Sequence, residues 1–532
     1  MKKYLFTRTV AVGMALMMAL GCIGGVSATE QLLVDSANVS AGDSLGAAWS
    51  AESTTFRFWA PNATEMQVNL YRSGLHGTKD RIDPYPMTRD ANGIWTTTIP
   101  GDLNGFYYTY QGKVNGSGME TCDPYASSTG INGQRAMILN LDSTDPEGWE
   151  QDTGVNTAAN AVIYELDIQG TEGGYLGLAE TASQWLSPVV RLGATHLELP
   201  AFYDCDGLNE NGGQTFVNGA QPLNYNAPEG AYASNANDGA VRVKELKQLI
   251  QVIHNYGLSV VLDVDYAQVI DGMGQQASQY VVDSICYWAD EYHIDGFRLE
   301  NMDKMDAEMV NAIAEAVHVN HPEVLIYGEN VAFAAETTGV SYIGGEAGQC
   351  VNVIDGQKLS AVQALVSEDV VLIPAGVEVP AELAEYWAGL MEFRQAREAI
   401  ASEVSQIISI VNEEADAQEV SLDPGQWEVY INGETAGITK LDAVEGSVTV
   451  EPGTAMVLVQ KLAPTEPPVV EEPTEAPTEP SGDFKDKLMD LAQQLLPYVY
   501  VVLPYLDLIA AGVLIVLSGA IIIVVIYMKK QK

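Results

Sequence analysis

The sequence predicts a multidomain α/β plus all-β protein: an N-terminal β-sandwich, a (β/α)8-type barrel, a small C-terminal β-domain and a single transmembrane helix. Three observations predict it. Short alternating strands stand near the start, a strand, helix, strand succession with a carboxylate at each strand end lies in the middle, and an uncharged apolar run stands near the end.

The sandwich is assigned to 29–150. Phe56-Arg57-Phe58-Trp59-Ala60-Pro61 alternates, Gly93-Ile94-Trp95 follows a turn, and Phe106-Tyr107-Tyr108-Thr109-Tyr110 is rich in strand-forming rings, a pattern of short antiparallel strands. The barrel is assigned to 158–402. It begins with Ala161-Val162-Ile163-Tyr164-Glu165-Leu166 and continues through Thr195-His196-Leu197-Glu198-Leu199, Val260 to Tyr266, Ile294 to Glu300, Ile326 to Glu329, Cys350 to Ile354 and Val370 to Ala375. Near-continuous apolar runs of this kind read as parallel strands buried on both faces. A sixth strand around Ser341 to Gly344 is weak, so seven strands are clear and closure of the barrel is left open. The helical run Asp303 to Val317 joins the strand ending at Glu300 to the one ending at Glu329, which places both carboxylates at the rim where barrel enzymes keep their chemistry. Two acids at one rim suggest glycoside hydrolysis.

The C-terminal β-domain, 403–461, rests on Gln426-Trp427-Glu428-Val429-Tyr430-Ile431-Asn432-Gly433, on Ser447 to Val450 and on Ala455 to Gln460. Residues 463–482 hold Pro, Thr, Glu and Val without a basic residue and read as an extended, self-repelling linker. Residues 483–505 form a juxtamembrane segment that suits an interface or a small partner-binding helix. The run 508–528 is long enough to cross a bilayer, and Lys529, Lys530 and Lys532 put its far end in the cytoplasm. At the other end, 1–28 begin Met1-Lys2-Lys3, run apolar from Val10 to Ile23 and finish Val26-Ser27-Ala28, the form of a secretory signal peptide. The expectation is a secreted chain anchored in the cell membrane, its bulk extracellular and its short tail cytoplasmic.

The formal charge of −45, from 71 acidic against 26 basic residues, argues against nucleic acid or anionic lipid as a ligand and suits a neutral polymer. Cys122, Cys205, Cys286 and Cys350 show no metal-ligand spacing and establish no disulfide framework. No metal is assigned and no cofactor is required; a structural calcium is open but not indicated. No tandem repeat is present, and protein partners are unknown.

The strand Gly296-Phe297-Arg298-Leu299-Glu300, the strand Tyr327-Gly328-Glu329, the segment Val260 to Tyr266 and the run Asn224-Tyr225-Asn226-Ala227-Pro228-Glu229-Gly230 together resemble the type I pullulanases of the α-amylase superfamily. The resemblance spans roughly Thr54 to Gln460. It implies Glu329 as general acid, Glu300 at the position of the nucleophile, and Arg298 as the residue that holds the nucleophile ionised. It also departs from the family at working positions. Glu300 stands where the family has aspartate, a lengthening of on the order of 1 Å, which costs about 100-fold in rate if uncompensated. Asp263-Val264-Asp265-Tyr266-Ala267-Gln268 keeps Asp263 and Tyr266 but puts Gln268 where the family has a subsite histidine. Phe216-Val217-Asn218-Gly219-Ala220-Gln221-Pro222 keeps Gly219 and Pro222 of a family turn and puts Ala220 where a sugar-stacking tyrosine belongs. Asp355 is the nearest counterpart of a third acid, without its histidine.

Tyr266, Gln268 and Trp95 are the candidate substrate-binding residues. Competing structural roles stand beside these assignments: Arg298 and Glu300 share a strand face and can form a buried ion pair with Asp263 or Glu329, Tyr266 can pack, Trp59 is read as core, and His254 and His293 fall on the opposite rim. The leading functional expectation is a cell-surface glucan-binding pseudoenzyme directed at starch-like or pullulan-like α-glucans. The alternatives are an active debranching hydrolase of the retaining type and a surface scaffold or adhesion protein.

Overall fold

A computed structural model describes residues 45–461, apart from Thr78, Asn115, Thr153, 155–157, 212–214, 218–220, 274–276 and Ala347. The expected signal peptide, linker, juxtamembrane segment and transmembrane run lie outside the described residues, as do Gly219 and Ala220. Among the described residues no helix is long and apolar enough to cross a membrane.

In the N-terminal sandwich, Ser53–Trp59 alternates as its sequence does, with Thr54, Phe56 and Phe58 turned inward. It pairs antiparallel with Gly46–Trp49 on one side and Ile94–Pro100 on the other. The facing sheet is built on Ala63–Tyr71 against Tyr107–Val114, extended by Ser117–Thr121. Between the sheets Phe56, Phe58, Val68, Leu70, Tyr108, Tyr110 and Ile99 form one apolar core, the arrangement alternating strands reach when two faces must be buried together.

The barrel is closed by eight parallel strands: Val162–Glu165, His196–Pro200, Ser259–Val264, Gly296–Leu299, Leu325–Gly328, Ser341–Ile343, Cys350–Val353 and Val370–Ile373, the last pairing back to the first. The weak sixth strand is real but short. Tyr327 pairs with Ser341 on one side of it and Tyr342 with Cys350 on the other, and those few ladder bonds complete the ring. The helix expected from Asp303 starts later, at Ala307, and ends at Asn320. Met302–Lys304 makes a 3-10 turn first, and the Asp306 side chain accepts from Met309 N, capping the helix at its true start.

The helix Ala384–Glu403 leads directly into Val404–Asn412. That strand pairs with Thr454–Lys461, which pairs with Trp427–Ile431, and Gln418–Ser421 and Ser447–Val450 make a second small sheet. Ile431, Val457 and Val459 pack with Leu365, Leu390 and Phe393 of the last two helices, so the C-terminal β-domain is seated on the outer wall of the barrel.

Candidate active site

Side chains two apart on a strand share a face, and in a small barrel the inward face is filled layer by layer. The lower layers are apolar: Ile163, Val261, Leu325, Tyr327, Val351 and Leu372 meet there. One step further up the same faces stand Glu165, Asp263 and Arg298, and Glu300 and Glu329 follow directly on the ends of the fourth and fifth strands. The register sets Asp263 beside Arg298 and Arg298 beside Tyr327. The barrel therefore changes from oil to charge at its carboxyl-terminal mouth, and Glu165, Asp263 and Glu300, though not Arg298 or Glu329, border an open cleft of ≈ 540 Å³.

Arg298 organises this mouth. Its Nη1 donates to Glu198 Oε1 at 2.9 Å and its Nη2 to Glu329 Oε1 at 2.9 Å, while its Nε lies 4.0 Å from Asp263. Tyr327 Oη also donates to Glu198. Among the described residues Arg298 makes no ion pair with Glu300, so the expectation that it holds Glu300 ionised is corrected: its two bonding edges are taken by Glu198 and Glu329. Glu300 instead stands against Asp263. Burial first, and then the Glu300 charge, push the Asp263 carboxyl up to about 9, and Asp263 Oδ1 is buried with no donor among the described residues. Two carboxyl groups in contact cannot both ionise cheaply, so the pair holds a proton at neutral pH. Glu198 is 1% exposed; burial raises its affinity for a proton against the pull of Arg298. Glu329 is the opposite case, its side chain 70% exposed.

Of the remaining expected site residues, Gln268 reaches the cleft lip, where it donates to Gln221. Tyr266 does not face the cleft: it is fully buried, donates to Ser284 Oγ at 2.9 Å and stacks on Tyr225. Its strand-end position gave the wrong impression, because the hairpin Tyr203–Asp206/Gln221–Pro228 covers it. Trp95 is likewise corrected. It is 7% exposed and its Nε1 is bonded to Ala60 O at 2.9 Å, leaving no ring face for a sugar; Trp59, on the strand that pairs with it, is also buried. Asp355 stays outside the cleft, just ahead of the helix Lys358–Val366, where its carboxylate accepts from Gln357 N and Ser360 Oγ. On the opposite rim His254 is buried between Asp152 and Asp295 at 2.8 and 3.0 Å, and His293 stacks on Trp149.

Glu198 is the site residue that sequence reasoning missed. Its signal was present: an acidic residue between Leu197 and Leu199 in a barrel strand is costly to bury without a partner. A second buried cluster was also missed. Arg242 binds Asp204 and Glu210, with Glu229 close by and bonded to Ala231 N and Cys205 N. These three carboxylates come close enough to hold a cation, but the guanidinium already supplies their counter-charge. Cys122, Cys205, Cys286 and Cys350 are all free thiols.

Residues 44–126 match the model of carbohydrate-binding module 48, the isoamylase N-terminal domain. The chain is 31% identical to the pullulanase of Bacillus subtilis (strain 168) over 338 residues, 54% of this chain and 46% of that protein. It thus matches less than half of that relative's length. The pullulanase of Bacillus acidopullulyticus superimposes with a TM-score of 0.66 at 22% identity, covering 81% of this chain and 76% of that one. A variant of the Paenibacillus barengoltzii pullulanase complexed with maltotriose does so with a TM-score of 0.64 at 24% identity, covering 83% and 99%. The chain is thus pullulanase-like in sequence over about half its length and shares the fold of the solved pullulanases.

Proposed function

We propose that this chain binds α-glucans at the mouth of its barrel and hydrolyses them weakly or not at all. The observation that carries the reading is the bonding of Arg298. In the retaining mechanism one carboxylate must attack as an anion while the other delivers a proton. Here Arg298 is committed to Glu198 and Glu329, and Glu300 is set against the proton-holding Asp263. The cation therefore sits on the expected acid, and the expected nucleophile has a carboxyl group for a neighbour. Glu329 also lies in solvent, its side chain 70% exposed.

Glucan as the ligand is supported by the carbohydrate-binding module and by the maltotriose bound to the Paenibacillus relative. The open cleft, bordered by Glu300 and Gln268, favours the runner-up, an active debranching hydrolase. The two separate on purified protein. Retardation in a starch-containing native gel without reducing-sugar release from pullulan is the expected pair of results; steady release that is abolished in Glu329→Gln would establish the hydrolase, and normal migration in the gel would remove glucan binding. In the same reading the chain works at the cell surface, held by 508–528.

A further inference from the structure

Arg242 stands on the helix Gly239–Asn255 and is fully buried. Its Nη1 donates to Thr129 Oγ1 and Asp204 Oδ1, both at 2.9 Å, and to Pro228 O at 3.2 Å, while its Nη2 donates to Glu210 Oε2 at 2.7 Å. Asp204 and Pro228 belong to the hairpin Tyr203–Asp206/Gln221–Pro228. Glu229 follows it directly, its carboxylate accepting from Cys205 N at 2.8 Å and from Ala231 N at 2.6 Å. The same hairpin walls the cleft through Tyr203, Cys205, Gln221, Pro222 and Tyr225. We propose that Arg242 and its three carboxyl groups are a proton-dependent clasp: the hairpin stays seated while the cluster keeps protons, and the wall of the cleft loosens as they are lost. Its consequence for a bound sugar rests on the barrel-mouth reading; the clasp itself does not.

The charge balance of the cluster calls for protons. Carboxylate oxygens of Asp204, Glu210 and Glu229 lie within 4.8 Å of one another, and all three residues are buried, Glu210 the most accessible at 7%. One guanidinium answers one of three negative charges. Two more anions at this range inside a protein are costly enough that carboxyls keep their protons instead. The backbone closes directly over the group: a Cβ on Gly230 would meet Arg242 Nη2 at 2.1 Å and Glu210 Oε2 at 2.2 Å, and one on Gly133 would meet Asp204 Oδ2 at 2.3 Å. That leaves no space there for a hydrated counter-ion. The other titratable groups facing the cluster are Tyr175, Tyr232, Cys205 and Cys122, all kept neutral by burial, and none of them brings a second cation.

Burial, and then the charge of Asp204, push Glu229 up to about 8. Burial, opposed by Arg242 and assisted by Asp204, takes Glu210 up to about 7. Both groups bind a proton more tightly with the hairpin seated than with it released to solvent, where a glutamate titrates near about 4.3. The stabilisation they give is therefore complete below about 4.3, declines as pH rises, and is gone above about 8. The clasp is tight in acid and slack in mild alkali.

The test is hydrogen–deuterium exchange on the whole protein between pH 6 and 9, corrected for the pH dependence of free amides and read over 203–206 and 221–232, with the sandwich strand Ala63–Tyr71 as reference. Each proton released on opening raises the opening equilibrium about tenfold per pH unit. With two carboxyls involved, the expected result is a rise on the order of 100-fold from pH 6 to 8, level above 8, with the hairpin opening more readily than the reference strand at pH 8. Glu229→Gln removes one titrating group and should cut that rise by about tenfold; Glu210→Gln, at the more accessible corner, should do the same and serves if the first variant does not fold. Hairpin exchange that is independent of pH overturns the clasp. So does a rise that both variants leave unchanged, and so does a hairpin that opens only together with the reference strand at every pH. None of these three results bears on starch retardation, so the barrel-mouth reading stands or falls separately.

Discussion

Removing Glu198 is the sharpest test of the charge network at the barrel mouth. In Glu198→Ala, Arg298 loses one of its two bonded carboxylates and Tyr327 Oη loses its acceptor. Taking one partner from a buried ion pair costs about 3–5 kcal/mol. Asp263 offers relief, because at the 4.0 Å separating it from Arg298 Nε opposite charges attract by about 4 kcal/mol at an effective dielectric of 20. That relief requires Asp263 to ionise beside Glu300, which resists it, so we expect a net loss near the lower bound, about 3 kcal/mol. Glu198→Gln keeps an acceptor oxygen and the volume and should lose about 1 kcal/mol. For a domain of this size each kcal/mol moves the melting point by about 2–4 °C, so thermal unfolding should fall by roughly 6–12 °C in the alanine variant and by a third of that in the glutamine variant. If both variants melt within about 2 °C of the parent, Glu198 does not hold the network together and the assignment of Arg298 as its centre fails.

Stability should decline with rising pH. Asp263, pushed up to about 9 by burial and then by Glu300, and His254, where burial opposes charge but Asp152 and Asp295 prevail and raise it to about 9, both bind their protons more tightly folded than unfolded. The His254 contribution is complete below about 6.5 and that of Asp263 below about 3.9, and each is lost as pH climbs through about 9; melting points that stay level or rise between pH 6 and 10 would contradict this. Gly328→Ala should destabilise by about 1–3 kcal/mol, since its Cβ would meet Met302 Sδ at 2.1 Å and Leu299 O at 2.9 Å; urea unfolding measures it. Trp95→Phe should leave starch retardation unchanged and lose only the hydrogen bond to Ala60 O, about 1 kcal/mol; a weakened gel shift would restore it as a sugar platform. Full-length chain should sediment with membranes and be released by deleting 508–528, and recovery of intact chain in the soluble fraction would remove the anchor.

Much of the barrel could be read from the sequence because its strands bury both faces and therefore appear as apolar runs with a carboxylate where the run ends. The sixth strand was faint for the same reason in reverse: Ser341–Ile343 has three residues, too few to display a period, and is recognisable only once Tyr327 and Cys350 flank it. Glu300 and Glu329 could be placed at one rim from spacing alone. What spacing could not reveal was which carboxylate Arg298 would choose. That depends on Glu198, 100 residues earlier on the second strand, which reaches Arg298 on the fourth across the third strand of the ring. Tyr266 and Trp95 misled in a common way: an aromatic at a strand end or after a turn is exposed only if nothing covers it, and here the hairpin over Tyr266 and the second sheet over Trp95 do so.

Glu300, where the family resemblance implies an aspartate, ties these observations together. A longer side chain on the fourth strand reaches the neighbouring Asp263, and its charge adds to burial in holding the proton on the Asp263 carboxyl. Glu300→Asp should therefore withdraw that carboxyl, let Asp263 ionise toward Arg298, and shrink the loss of stability between pH 7 and 9. It should not by itself restore turnover, because Gln268 occupies the cleft lip where the family resemblance implies a histidine, and the sugar-stacking position is an alanine. Melting curves across pH and reducing-sugar release from pullulan decide both halves. An unchanged pH dependence would show that Glu300 is not the cause of the Asp263 shift, and the appearance of pullulan hydrolysis would show that one methylene was the whole of the defect.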